Sequence, residues 1–161
     1  MKLSNTGDIV IEINNFPQAS TGAPIPIILA DEHTTVLEYY MQDELEVDGE
    51  IVDQVAILEF SSCLAVSSGP PNDEAIFGHP LYVKGLRTYG FYKIDNSSWI
   101  EKYKIQNRIH PHHKDEHFDG YTHYVLCFHD SIFECICKGT SHEISTGTLM
   151  SNIDRMKEKL K

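Results

Sequence analysis

"YTHYVLCFHDSIFECICK" (121–138) alternates apolar and polar residues over two runs, 121–128 and 132–138. The runs read as two antiparallel strands joined at His129-Asp130-Ser131. The register of that hairpin decides which side chains meet. If Asp130-Ser131 is a two-residue turn, Cys127 lies opposite Glu134, and His123, Val125, Cys127 and His129 share its face. If the turn has three residues, Glu134 moves to the face of Tyr124, Leu126 and Phe128, and His123 joins Cys127, Cys135 and Cys137 on the other. A slip of one residue moves the whole set. Glu134 on an apolar strand needs a partner if buried, because an unpaired buried carboxylate neutralises. His123, His129 and Glu134 are therefore the leading catalytic candidates, as an acid–base pair or as ligands.

Working outward, further strands are expected at 8–13 ("DIVIEI"), 25–30 ("IPIILA"), 34–41 ("TTVLEYYM") and 90–94 ("GFYKI"). "QVAILEFSSCLAV" (54–66) is one central strand, or two with a break at Ser61-Ser62. "QDELEVDGEIVD" (42–53) reads as a solvated acidic hairpin end with Asp48-Gly49 at its tip; it lacks the ligand spacing of an EF-hand. Asn72 or Asp73 can cap one helical turn closed by Gly78. A helix is expected within 95–111, with Ser98 and Glu101 as a capping box and Pro111 near its end. Trp99, Ile100, Tyr103 and Ile109 would supply its packing face. A C-terminal helix is expected over 147–161, where Leu149, Ile153, Met156 and Leu160 recur at helical spacing. Residues 1–7 are expected to be loose. The pattern predicts one domain over 1–161, of α+β class. It is mostly antiparallel β, a sandwich or flattened barrel, with two or three helices.

The chain has 161 residues, with 24 acids against 13 bases, a net charge of −11. That excess argues against nucleic acid, which needs Lys and Arg on its phosphates, and against an anionic membrane surface. It suits a basic protein partner or metal cations. The first twenty residues carry Lys2, Asp8 and Glu12 without a continuous apolar run, and "IPIILA" is too short to span a bilayer. A cytoplasmic protein is expected. Its cysteines lie in apolar strand patterns, where the free thiol acts as a small hydrophobe, and no CxxC pair occurs. Cys63 reads as a weak nucleophile, since nothing near it in the chain lowers its pKa.

Six of the nine histidines lie in 107–130. His110, His112, His113 and His117 fall in a polar loop after the expected helix. His113 and His117 are four apart and would share a face on a helix, but HxxxH is not the metalloprotease HExxH. His79, stiffened between Gly78 and Pro80, is a further candidate. The metal-ligand candidates are thus His79, His113, His117, His123, His129 and Glu134, for a divalent ion such as zinc. No Walker loop, GxGxxG or GxSxG is present.

"IILADEHTTVLEYY" (27–40), "PNDEAIFGHPL" (71–81), "NSSWI" (96–100), "NRIHPHH" (107–113) and "HYVLCFHDSIFEC" (123–135) together resemble a group of small, mostly bacterial proteins without an assigned activity. The resemblance covers roughly 25–138. It implies one compact domain and carries over no activity, cofactor or catalytic residue. The leading expectation is a non-catalytic binding or interaction module, contacting a protein partner or forming a homodimer. The alternatives are a metal-assisted hydrolase using a His/Glu constellation around the 122–138 hairpin, and a β-domain that binds a small molecule.

Overall fold

The structure is a computed structural model that describes residues 7–160; the stretch expected to be loose, apart from Gly7, lies outside the described residues. Eleven strands are formed among these residues: β1 (Ile9–Glu12), β2 (Ile27–Ala30), β3 (Thr34–Tyr40), β4 (Leu45–Val47), β5 (Glu50–Val52), β6 (Gln54–Ser61), β7 (Ala65–Gly69), β8 (Phe91–Asp95), β9 (Thr122–Cys127), β10 (Ile132–Cys137) and β11 (Gly139–Thr146). Two α-helices, α1 (Ser98–Asn107) and α2 (Ile153–Glu158), and four short 3₁₀ segments complete the chain. The strands build a five-stranded sheet, β1-β8-β9-β10-β7, and a four-stranded sheet, β11-β6-β3-β2, both wholly antiparallel. β4 and β5 form a separate two-stranded hairpin. This is the α+β sandwich that the short alternating strands predict, and the sheets do not close into a barrel. No described helix is long and apolar enough to cross a membrane.

Alternation divides each sheet between two cores. Leu37, Tyr39, Leu58 and Phe60 from one sheet meet Phe91, Leu126, Phe128 and Phe133 from the other and fill the sandwich. On the outer face of the five-stranded sheet, Tyr92, Ile94, Val125, Cys127 and Ile132 lie beneath Ile76, Leu81 and Leu86. On the outer face of the four-stranded sheet, Val36, Val55 and Ile57 lie beneath Leu149 and Met156. Both sheets are therefore covered on both sides, which explains strands apolar in both parities.

The chain passes between the sheets twice at one corner. β6 leads into β7, and β10 into β11, as neighbouring bent strands. Gly139 pairs with Ser61, yet Ile136 pairs with Ala65. Ser62, Cys63 and Leu64 thus face only Cys137 and Lys138, which is a β-bulge. Ser62 takes a left-handed φ of 52°. Bulges bend a strand and raise its twist, and this one turns it out of its sheet. Gly139 lets the strands approach closely there: a Cβ would lie 2.6 Å from the Ser61 hydroxyl, which would have to turn away.

Four local expectations need correction. Ser97, not Ser98, caps α1, its Oγ accepting the Ile100 N–H at 3.2 Å. Asp8 claims both the backbone N–H and the hydroxyl of Ser98, so the capping box with Glu101 does not form. α1 ends at Asn107, before Ile109, which is 92% exposed and no part of a packing face. The C-terminal helix starts at Met150 as a 3₁₀ turn, not at 147. Gly147 has φ 98°, and the Asn152 side chain donates to the carbonyls of Thr146 and Thr148, holding that stretch as a loop. Residues 139–146, unassigned in the sequence, form β11.

Glu38 of β3 is fully buried, and neither carboxyl oxygen has a hydrogen-bond partner among the described residues. Burial raises its pKa from 4.5 to about 7. The folded chain then keeps a proton that the unfolded chain releases, so this residue removes stability as pH rises from 4.5 through 7. Glu38→Gln abolishes that titration. Measured by denaturant unfolding, the variant's advantage over wild type should grow by about 3 kcal/mol between acid and neutral pH; parallel stability curves would count against the assignment.

Candidate functional site

The hairpin reverses over His129 and Asp130, with the Phe128 N–H donating to the Ser131 carbonyl at 2.9 Å. Glu134 stands opposite Val125, and Cys127 opposite Ile132 rather than Glu134. The parity is that of the two-residue turn, displaced from Asp130-Ser131. His123, Val125, Cys127 and Glu134 share the outer face.

Three candidates converge on that face. Glu134 Oε1 accepts from His79 Nε2 at 2.9 Å and Oε2 from His123 Nε2 at 3.0 Å. His79 reaches down from the end of the 3₁₀ segment Asp73–Gly78, while His123 and Glu134 belong to adjacent strands. The partners assign the tautomers. His79 Nδ1 accepts the Leu81 N–H at 3.1 Å, so its proton sits on Nε2, facing the carboxylate. His123 Nδ1 lies 2.8 Å from Ser97 Oγ, whose oxygen already accepts the Ile100 N–H and whose hydroxyl proton is free for the ring. The T-shaped contact of Trp99 covers the His123 ring, at 5.2 Å between centroids.

Burial of Glu134 would raise its pKa, but the His123 and His79 donors outweigh it and hold the carboxyl down to about 2. It is a carboxylate at any working pH and a poor proton acceptor. Neither ring keeps a spare nitrogen for a substrate. His79 does not fit a metal ligand either: ligation needs the Nε2 lone pair and a donating Nδ1–H, and Nδ1 here faces a donor. Among the described residues no group of three or more His, Cys, Asp and Glu side chains is placed to hold a metal ion. The cleft above the cluster, walled by Asp8, Leu81 and Trp99, holds about 200 Å³, below the usual range of roughly 300–1,000 Å³ for small-molecule pockets. The arrangement is a clamp joining β9, β10, the His79 loop and the start of α1.

The other candidates lie apart. His129 Nδ1 pairs with Asp73 at 2.9 Å, and its ring stacks parallel to Tyr89, which also donates to Asp73. The Tyr89 hydroxyl is the main reason the Asp73 carboxyl falls below its ordinary value. His113 sits between Asn107 and Asp115, at 2.9 and 2.7 Å. His117 lies on a 3₁₀ turn, Asp115–Phe118, that begins after His113, so the two share no helical face. His110 accepts the His112 N–H within the loop. Ser97 and Asp8 escape the sequence reading; an N-cap serine before an apolar turn was the available signal for Ser97.

A second feature is the β4–β5 hairpin. Asp48 and Gly49 both have positive φ, 52° and 81°, the backbone of a type I′ turn. Residues 42–51 are all exposed, with Leu45 39%, Val47 45% and Ile51 70% accessible. Leu45 pairs with Val52 and Val47 with Glu50, so three aliphatic side chains share one face; Glu46 and Ile51 lie on the other. Residues 42–53 carry six acids and no base.

Comparison with protein-family models, curated proteins and solved structures finds no match for this chain.

Glu134 is ionised in the fold below its unfolded pKa, so the clamp contributes fully above pH 4.5 and is lost as pH falls toward 2. Glu134→Gln turns an amide donor toward a donor N–H and should cost about 2–3 kcal/mol at neutral pH. Urea titrations should show that deficit shrinking as pH approaches 2; a constant deficit would mean the carboxylate charge is irrelevant.

Proposed function

We propose that this chain is a protein-interaction module, in which the 42–53 hairpin docks an extended basic segment of a partner protein. The observation that carries this reading is the hairpin itself, a pair of strands that no third strand joins among the described residues, with aliphatic side chains in solvent. An isolated two-stranded hairpin is marginal in water. A third strand would satisfy the edge hydrogen bonds and cover Leu45 and Val47.

Charge selects the partner. Asp43, Glu44, Glu46, Asp48 and Glu50 form no ion pair among the described residues, so their field is unneutralised. A segment alternating Lys or Arg with aliphatic residues matches both faces. A second copy of the arm would set six acids against six, which opposes self-docking. The saturated His79–Glu134–His123 cluster gives an enzyme reading no comparable support.

A labelled peptide alternating Lys and Val tests this by fluorescence anisotropy. Binding should fall in the micromolar range, about −8 kcal/mol, and weaken several-fold as salt rises and screens the exposed acids. Replacing Asp43, Glu46 and Glu50 by Asn, or residues 43–52 by a short Asn-Gly link, should abolish it. Equal binding of a Glu–Val control peptide, or unchanged binding after hairpin replacement, would refute the reading.

A further inference from the structure

The bulge at the sheet-to-sheet corner brings cysteines from distant parts of the chain together. Cys63 lies in the bulge and is half-buried, its N–H donating to the His33 carbonyl at 2.8 Å. Its Sγ stands 3.7 Å from Cys135 Sγ and 3.1 Å from the Phe60 carbonyl. Cys135 and Cys137 are fully buried on the sandwich face of β10. Cys127, on the opposite face, packs with Val125 and Ile132 instead.

We propose that Cys63 and Cys135 form a peroxide-oxidisable dithiol, with Cys63 as the reacting thiol and Cys135 as the thiol that resolves it. In the first step the Cys63 thiolate attacks one oxygen of hydrogen peroxide. The O–O bond breaks, Cys63 becomes a sulfenic acid, and the departing hydroxide takes a proton to leave as water. In the second step the Cys135 sulfur attacks the sulfenic sulfur. The S–O bond breaks, the Cys135 proton leaves with the hydroxide as a second water, and a disulfide remains. Two thiols are oxidised and both peroxide oxygens reduced. A dithiol reductant such as dithiothreitol reverses the change.

Geometry and electrostatics agree. The two sulfurs must close from 3.7 Å to the roughly 2.05 Å of a disulfide. One of them rides on a bulge, whose extra residue is free of strand pairing. Either thiol can donate across this contact. Once Cys63 is a thiolate the donor is the Cys135 S–H, and that bond outweighs burial to bring the Cys63 thiol down to about 6. Contact with Cys137 and with Cys63 holds the proton on Cys135. Cys127 is the internal contrast: burial pushes it up to about 12. The Cys63 reading from sequence is thereby reversed, because the partner that activates it arrives 72 residues later in the chain.

The test treats folded protein with hydrogen peroxide, blocks remaining thiols and reads intact mass and peptide linkage. Wild type should lose two alkylatable thiols, yield a 63–135 linked peptide and recover both with dithiothreitol. Cys63→Ser should lose thiols at least about tenfold more slowly. Cys135→Ala should instead oxidise Cys63 more slowly than wild type and leave it as a sulfenic acid that dimedone traps, while Cys127→Ala should behave as wild type. Linkage mapping on wild type needs no variant to fold. A link joining any other pair, no link at all, or an undiminished rate in Cys63→Ser would overturn the proposal.

Discussion

Two bent strands carry the whole sandwich through one corner. β6–β7 and β10–β11 run side by side in both sheets, and their hydrogen bonding continues around the bend: Lys138 N–H to Ser61, Leu64 N–H to Ile136. The extra residue in Ser62–Leu64 lets one strand turn without losing its partner. Gly139 lets the other approach it. Because the bend is shared, the inward faces of both sheets oppose each other, and the rings of Phe60 and Phe133 meet at 5.2 Å. A Cβ at 139 would meet the Ser61 hydroxyl at the point where that packing begins and force it to turn away. The same extra residue turns Cys63 toward Cys135, so the thiol pair is a by-product of how the sheets are joined.

The outer faces show how partners, not burial, decide the fate of a carboxylate. Glu134 and Glu38 both lie in central strands beneath an outer cover. Burial raises both. Glu134 receives two imidazole N–H donors and ends far below its ordinary value; Glu38 receives none and ends near neutrality. The first is a net stabiliser at neutral pH, and the second is not. The His79–Glu134–His123 cluster has the composition of a catalytic centre, but its hydrogen bonds account for every ring nitrogen. Composition alone therefore overstates its chemistry.

Much of this fold was legible because alternation is local. The strands at 34–41 and 122–138 follow from it, whereas alternation leaves 54–66 open between one strand and two, and the bulge at Ser62–Leu64 makes it two. The Asp48-Gly49 turn follows from the two positive φ values that such a turn demands. β11 was not legible: "GTSHEIST" is polar and sits at a sheet edge with most of its side chains in solvent, so no apolar period marks it. The hairpin register lay beyond reach because a one-residue slip is invisible in alternation; the structure decides it through the turn at His129-Asp130. His123, Glu134 and His79 were named from their discomfort or stiffness in sequence. That they meet depends on the loop at 79–81 folding back over β10, a contact between residues 55 apart. Ser97 was missed because Asp8, ninety residues earlier, displaces the expected capping box.

The acidic arm stands outside all of these constraints. A free strand edge invites pairing with any extended chain, and proteins guard such edges with charge. Here the guard is one-signed. Six acids repel a second copy of the same arm and any acidic chain, yet they do not repel a basic one. Exposed Leu45, Val47 and Ile51 would be a liability if the edge were guarded against every partner, since they gain nothing by remaining in solvent. The combination fits the proposed docking role, in which repulsion rejects the wrong strands and the aliphatic face rewards the right one.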